Sequence, residues 1–137
     1  MTQTESAKPE GGDESILVVE DNELVRNSVV KILTRLGYFV VSAVDGHEAI
    51  DALSAGGFKP DLLLTDVMLP GNMNGREVSE EVLQLLPDCN IVYMSGYSAD
   101  TLSDSKLLPV GCERLAKPFS SAVLANTIRK SLDNRVH

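Results

Sequence analysis

Asp61-Leu62-Leu63-Leu64-Thr65-Asp66-Val67-Met68-Leu69-Pro70 is the stretch that decides the fold. It follows a Lys59-Pro60 breaker, and its three leucines are too few for a helix before Thr65-Asp66 stops them. A short apolar run bounded in this way reads as a strand buried on both faces, with a carboxylate at its C-terminal end. Open parallel α/β sheets bind ligands just beyond the carboxyl ends of their strands. Asp66 is therefore the first candidate for chemistry. An Asp closing a strand is also a common turn former or helix cap, so other residues must converge on it before the chemical reading is favoured.

Upstream, Ile16-Leu17-Val18-Val19 is a second such run, ending in Glu20-Asp21-Asn22. Leu24, Val25, Val29, Ile32, Leu33 and Leu36 follow at helical spacing, with Gly37 suited to the C-terminal cap. Residues 38–44 are rich in β-branched and aromatic side chains, and Ala49, Ile50 and Leu53 mark a short helix ended by Gly56-Gly57. Downstream, residues 71–75 form a Gly/Asn-rich loop, and Val78, Val82, Leu85 and Leu86 share a helical face before Pro87. Residues 91–94 give a fourth strand ending at Ser95-Gly96; residues 98–106 are polar, with a weak helical signal stopped by Pro109 and Gly111. Arg114-Leu115-Ala116 is a short fifth strand ending at Lys117-Pro118, and Val123, Leu124, Ile128 and Leu132 give the closing helix. Five β-α units predict a flavodoxin-like (βα)5 three-layer sandwich with a parallel sheet, for which we assume the strand order 2-1-3-4-5.

Composition narrows the function. The 137 residues suit one domain over residues 15–137, preceded by an acidic, Gly-containing tail at 1–14 that is expected to be disordered. A net charge of −8, with only 12 dispersed Lys and Arg, argues against nucleic acid and against anionic membrane surfaces. No stretch is long and apolar enough for a spanning helix and no signal peptide opens the chain, so a soluble, cytoplasmic protein is expected. Cys89 and Cys112 have no zinc-site spacing. Free thiols are the expectation, with a bridge between the starts of two neighbouring strands left open. His47 and His137 do not suggest a phosphoryl relay.

The residues that end the strands form a constellation: Glu20 and Asp21 after the first, Asp66 after the third, Ser95 after the fourth and Lys117 after the fifth. Each singly has a plainer role. Asp21 or Asn22 would cap a helix, Ser95 would form a turn and Lys117 would be a solvated cation. In the assumed order the first and third strands are neighbours, so Asp21 and Asp66 face each other at the topological switch point. Carboxylates about 4 Å apart repel by several kcal/mol at an effective dielectric near 20, and such a cluster wants a hard divalent cation. Mg²⁺ suits it, and Mn²⁺ can take the same donors. With the site neutralised, Asp66 can act as a nucleophile towards a phosphoryl group, Lys117 and the Ser95 hydroxyl can take phosphoryl oxygens, and Gly96 leaves room for entry.

Four ordered motifs, Ile16-Leu-Val-Val-Glu-Asp21, Asp61-Leu-Leu-Leu-Thr-Asp66-Val-Met-Leu-Pro70, Met94-Ser95-Gly96-Tyr97 and Lys117-Pro118-Phe119, resemble those of the response-regulator receiver domain of two-component signalling. The resemblance covers about nine-tenths of the chain. It implies that Asp66 accepts a phosphoryl group from the phosphohistidine of a histidine kinase or histidine phosphotransfer protein. It also implies that Asp21, Asp66 and the Met68 backbone carbonyl bind Mg²⁺ directly, with Glu20 acting through water. Ser95 and Lys117 would read the phosphoryl group, and the Lys117-Pro118 peptide bond would be cis. A stand-alone receiver is the expected function, signalling to an unknown downstream protein or in a phosphorelay and catalysing only its own phosphorylation and dephosphorylation. The 19 residues after Pro118 are nearly all used by the last helix, so no DNA-binding output domain is expected.

Three departures from the family pattern stand out. Arg114 occupies the position, three before the lysine, where many receivers carry an aromatic switch residue. Tyr97, or a move of Arg114, is the candidate replacement. The loop from Pro70 to Gly75 is one residue longer than in the commonest receivers and is similar to that of receivers attached to hybrid histidine kinases. The fourth helix is weakly encoded. Two other function classes compete: a pseudo-receiver used only as an interaction module, and a flavodoxin-like cofactor carrier. The complete constellation disfavours the first, and the acidic Glu20-Asp21-Asn22-Glu23 loop, which would repel a phosphate, disfavours the second.

Overall fold

A computed structural model describes residues 11–96, 108 and 112–134. Five strands, β1 (Ser15–Val19), β2 (Phe39–Ala43), β3 (Leu62–Asp66), β4 (Asn90–Ser95) and β5 (Glu113–Ala116), form one sheet in the order β2-β1-β3-β4-β5. Every pairing is parallel. The helices described are α1 (Glu23–Arg35), α2 (Gly46–Ser54), α3 (Gly75–Leu85) and α4 (Ser121–Asp133). The expected α/β sandwich and its strand order are therefore present. The expected weak helix over residues 98–106 lies outside the described residues.

Two cores lie on the two faces of the sheet. Ile16, Val18, Leu62, Leu64, Val92, Met94 and Leu115 pack with Val29 and Leu33 of α1 and Leu124, Ile128 and Leu132 of α4. On the other face Leu17, Val19 and Leu63 meet Ala43, Ala49 of α2 and Val78 and Val82 of α3. Coverage on both faces explains why β1 and β3 read as continuous apolar runs: all five residues of β3 are buried. Among the described residues no helix is long and apolar enough to cross a membrane. Neither Cys89 nor Cys112 is in a disulfide.

Local chemistry sets the helix ends. Asn22, Asp45 and Ser120 cap α1, α2 and α4 through their side chains, and Asn74 with Glu77 builds a reciprocal capping box on α3. Gly37 follows the α1 C-cap with φ +102°, and its Cα faces the Gly12 carbonyl so closely that a Cβ would lie 2.6 Å away. α3 ends at Leu85 because Pro87 biases Leu86 away from the helical region. Leu24, Leu85 and Val123, which helical spacing places among the apolar faces, are instead exposed. Periodicity identifies residues that share a stripe, but the edge of a stripe can still meet solvent.

Of the expected tail, residues 1–10 lie outside the described residues, whereas Gly11 to Glu14 pack on the fold. Gly12 N–H donates to the Leu36 carbonyl (3.1 Å) and Phe39 N–H to the Glu14 carbonyl (3.0 Å). Arg129 of α4 reaches the Gly11 carbonyl (3.0 Å), both Glu14 carboxylate oxygens (3.1 and 2.8 Å) and Asp133. The Arg129 hydrogen bond holds the Glu14 carboxyl below its ordinary value, although burial opposes it.

Candidate functional site: an acidic pocket at the carboxyl end of the sheet

Parallel pairing brings the C-terminal ends of β1, β3, β4 and β5 together. The register matches Val19 with Thr65 and Asp66 with Met94, which places Glu20, Asp66 and Ser95 on adjacent strand ends. Ser95 matches Ala116, and the Lys117 N–H donates to the Ser95 carbonyl at 2.8 Å, extending the ladder to the lysine. The Lys117-Pro118 peptide bond is cis.

Glu20, Asp66 and Ser95 are buried, whereas Asp21 is exposed at the mouth of the pocket. The Lys117 ammonium donates to Asp66 Oδ2 at 2.8 Å and to Glu20 Oε1 at 2.5 Å. The other Glu20 oxygen accepts the Asn22 N–H at 3.0 Å. Glu20, Asp21 and Asp66 each offer an oxygen within 4.8 Å of the others. Three hard oxygen donors at this spacing suit a small divalent cation with waters completing its shell.

Burial pushes the Asp66 carboxyl up to about 6; Lys117 pulls it back, and the Glu20 charge adds to the rise. Burial pulls the Lys117 ammonium down, but its hydrogen bonds to Asp66 and Glu20 outweigh this and hold it above its ordinary value. One lysine thus compensates two buried acids incompletely, leaving negative charge for a cation to neutralise.

The backbone under Asp66 is clamped from both sides. Thr65 Oγ1 donates to the Asp66 carbonyl at 3.0 Å, and the Val67 N–H donates to the Met94 carbonyl at 3.0 Å. Gly75, the first residue of α3, donates its N–H to the Val67 carbonyl at 2.8 Å, and a Cβ on it would lie 2.1 Å from the Asp66 carbonyl oxygen. The close approach requires glycine. In the sequence Gly75 reads as one more loop glycine, and the Asn74-Gly75-x-Glu77 cap signature is the available clue to its place at the start of α3.

Arg114 stands in register with Tyr93 of β4, which in turn is in register with Thr65. Tyr93 is buried, and its hydroxyl shares a 2.7 Å hydrogen bond with Ser79 of α3. An aromatic side chain therefore lies beside Arg114, on β4, a residue that sequence reading assigned only to the strand. Gly96 is half-buried after β4; Tyr97 lies outside the described residues. Met68 is exposed beyond β3. Exposed apolar residues rim this end of the sheet, Leu24 in the first turn of α1, Val44 just after β2 and Met68 two residues after β3, and a groove of about 380 Å³ opens beside Lys117 between Leu24, Val25, Val29, Pro118 and Phe119.

Comparison with known proteins identifies this arrangement. The family model "Response regulator receiver domain" matches residues 16–129. The chain is 31% identical over 133 residues to the sensor kinase CckA of Brucella abortus, spanning 97% of this chain and 14% of that protein. It is 34% identical over 117 residues to the response regulator receiver protein CpdR of the same organism, spanning 85% of this chain and 95% of that protein. A response regulator receiver protein of Sinorhizobium medicae superposes with a TM-score of 0.79 at 27% identity, covering 90% of this chain and 98% of the other. By its motifs, its fold and these matches, the chain belongs to the response regulator receiver domain family of two-component signalling.

Proposed function

We propose that this receiver domain accepts a phosphoryl group on Asp66 from a phosphohistidine, in a Mg²⁺-dependent reaction in the cytoplasm. The observation that carries the reading is the position of Asp66: a buried carboxylate 2.8 Å from the Lys117 ammonium and clustered with Glu20 and Asp21. Asp66, Asp21 and the Met68 carbonyl would hold the ion directly and Glu20 would act through water. When bound, Mg²⁺ supplies the positive charge that lets a phosphoryl dianion approach the acids.

An Asp66 oxygen attacks phosphorus, the P–N bond to the donor imidazole breaks, and the imidazole leaves with its electron pair and takes a proton. Lys117 passes from Asp66 to a phosphoryl oxygen, where its charge is worth more than in water. The Ser95 hydroxyl donates to a second oxygen, and Gly96 leaves the space the group enters. Response then follows from these two residues, with Arg114 and Tyr97 as the elements through which β4 and β5 pass it on. The chain's own catalysis is confined to its phosphorylation and dephosphorylation.

The apolar rim supports a macromolecular donor, a histidine kinase or histidine phosphotransfer protein, because exposed Leu24 and Met68 beside a charged pocket favour a protein surface over a small phosphate ester. The similarity to a sensor kinase agrees with this. The downstream partner would be another protein. Intact-mass measurement after incubation with acetyl phosphate tests the reading. One added phosphoryl group that requires Mg²⁺ and is lost in Asp66→Asn supports it, and equal labelling of that variant contradicts it.

A further inference from the structure

Arg26 lies in the first turn of α1, where a cation opposes the helix dipole. Its side chain turns back over the helix start. Nη1 donates to the Glu20 carbonyl at 3.0 Å and to the Asp21 carbonyl at 3.4 Å. These consecutive carbonyls belong to two of the three acids in the pocket. The guanidinium grips backbone, whereas the Glu20 carboxylate is engaged by Lys117 and the Asn22 N–H.

We infer that Arg26 is a positioning residue for the pocket: by fixing the Glu20 and Asp21 carbonyls it aims both carboxylates towards Asp66 and so raises affinity for a divalent cation. The inference rests on the functional reading above. Both bonds come from the one Nη1, whose two N–H groups are fixed in the guanidinium plane, whereas a lysine ammonium is a point charge that rotates on a flexible stem and holds two neighbouring acceptors less firmly. The charge and the grip of Arg26 act in opposite directions. Its positive charge repels a cation, while its hydrogen bonds hold the ligands ready for one. Removing the side chain therefore gives a result whose sign separates the two.

The test is an Mg²⁺ titration followed by amide NMR at Glu20, Asp21 and Asp66, in the parent, Arg26→Gln and Arg26→Lys, with thermal unfolding recorded alongside. Metal-free spectra are compared first; the inference expects Asp21 and Asn22 amides to shift in both variants. Mg²⁺ affinity should then fall about tenfold in Arg26→Gln, as for other residues that orient metal ligands, even though a positive charge has been removed. Arg26→Lys should also bind more weakly than the parent while unfolding at a similar temperature. Unchanged or tighter binding in Arg26→Gln overturns the inference and leaves Arg26 acting by charge alone. Parental binding in Arg26→Lys also overturns it. A parent protein that shows no Mg²⁺-dependent shift at the three acids overturns the functional reading itself.

Discussion

Lys117 is held by Asp66: the lysine Nζ lies 2.8 Å from the carboxylate Oδ2. The same ammonium is bonded to Glu20, so the lysine occupies the electrostatic place that a divalent cation would share. On the proposed function, incoming Mg²⁺ and phosphoryl groups would have to draw the acids and the lysine apart, and this competition would connect the site's geometry to a response.

Lys117→Ala should therefore bind Mg²⁺ more tightly, by about three- to tenfold, because a positive charge is removed from beside two cation ligands. The same variant should lose the conformational response to phosphorylation. Isothermal titration measures the first effect, and amide shifts on addition of beryllofluoride measure the second. Weaker Mg²⁺ binding in the variant would contradict the competition.

Asp66→Asn should stabilise the fold near neutral pH. The carboxyl titrates near 6 in the folded protein against an ordinary 3.8. Below the lower value it is neutral in both states and contributes nothing. Between the two values the folded state holds the extra proton, so stability falls as pH rises, and above 6 the full cost is present. The variant should gain about 1–2 kcal/mol at pH 7.5 and lose that advantage near pH 4, read by urea denaturation.

Gly75→Ala should destabilise the protein by about 2–3 kcal/mol, since the new methyl group meets the Asp66 carbonyl and neither backbone segment can yield cheaply. Acceptance of phosphoryl from acetyl phosphate should slow with it, because Asp66 must move. Equal stability in the variant and parent would show that α3 can shift without cost.

Glu14→Gln should cost about 0.5–1 kcal/mol at pH 7 by weakening the Arg129 contact that joins the start of the chain to α4. The Glu14 carboxyl is held below its ordinary 4.5. Its contribution is thus present above that value and lost as pH falls through the lowered one. Denaturation at pH 7 and pH 3 should show a smaller gap between the proteins at the lower pH.

Much of the architecture was legible in the residues, for a physical reason. A strand buried on both faces has to be apolar throughout, so residues 16–19 and 62–64 announced the centre of the sheet, and polar residues that broke those runs marked its active end. Strand order was an assumption until the register showed β1 beside β3. Spacing did not reveal that Leu24, Leu85 and Val123 meet solvent, because a helical repeat defines a stripe without defining its edge. Nor did it show the contacts of Gly75 and Arg26, which depend on how closely α3 and the start of α1 approach the strand ends. Tyr93 reads in the sequence only as part of a strand, because its partner Ser79 is 14 positions away on another element. Arg114 departs from an aromatic pattern in the sequence, but only the strand pairing shows that it stands in register with that tyrosine.

The most direct measurement of the central claim uses phosphoramidate, whose P–N bond mimics the phosphohistidine donor. The protein is incubated with it in Mg²⁺, reduced with borohydride to convert aspartyl phosphate to homoserine, and mapped by peptide mass spectrometry. Conversion at position 66, dependent on Mg²⁺ and absent from Asp66→Asn, is the predicted result. Folded protein with no conversion, or conversion at another carboxylate, would contradict the account.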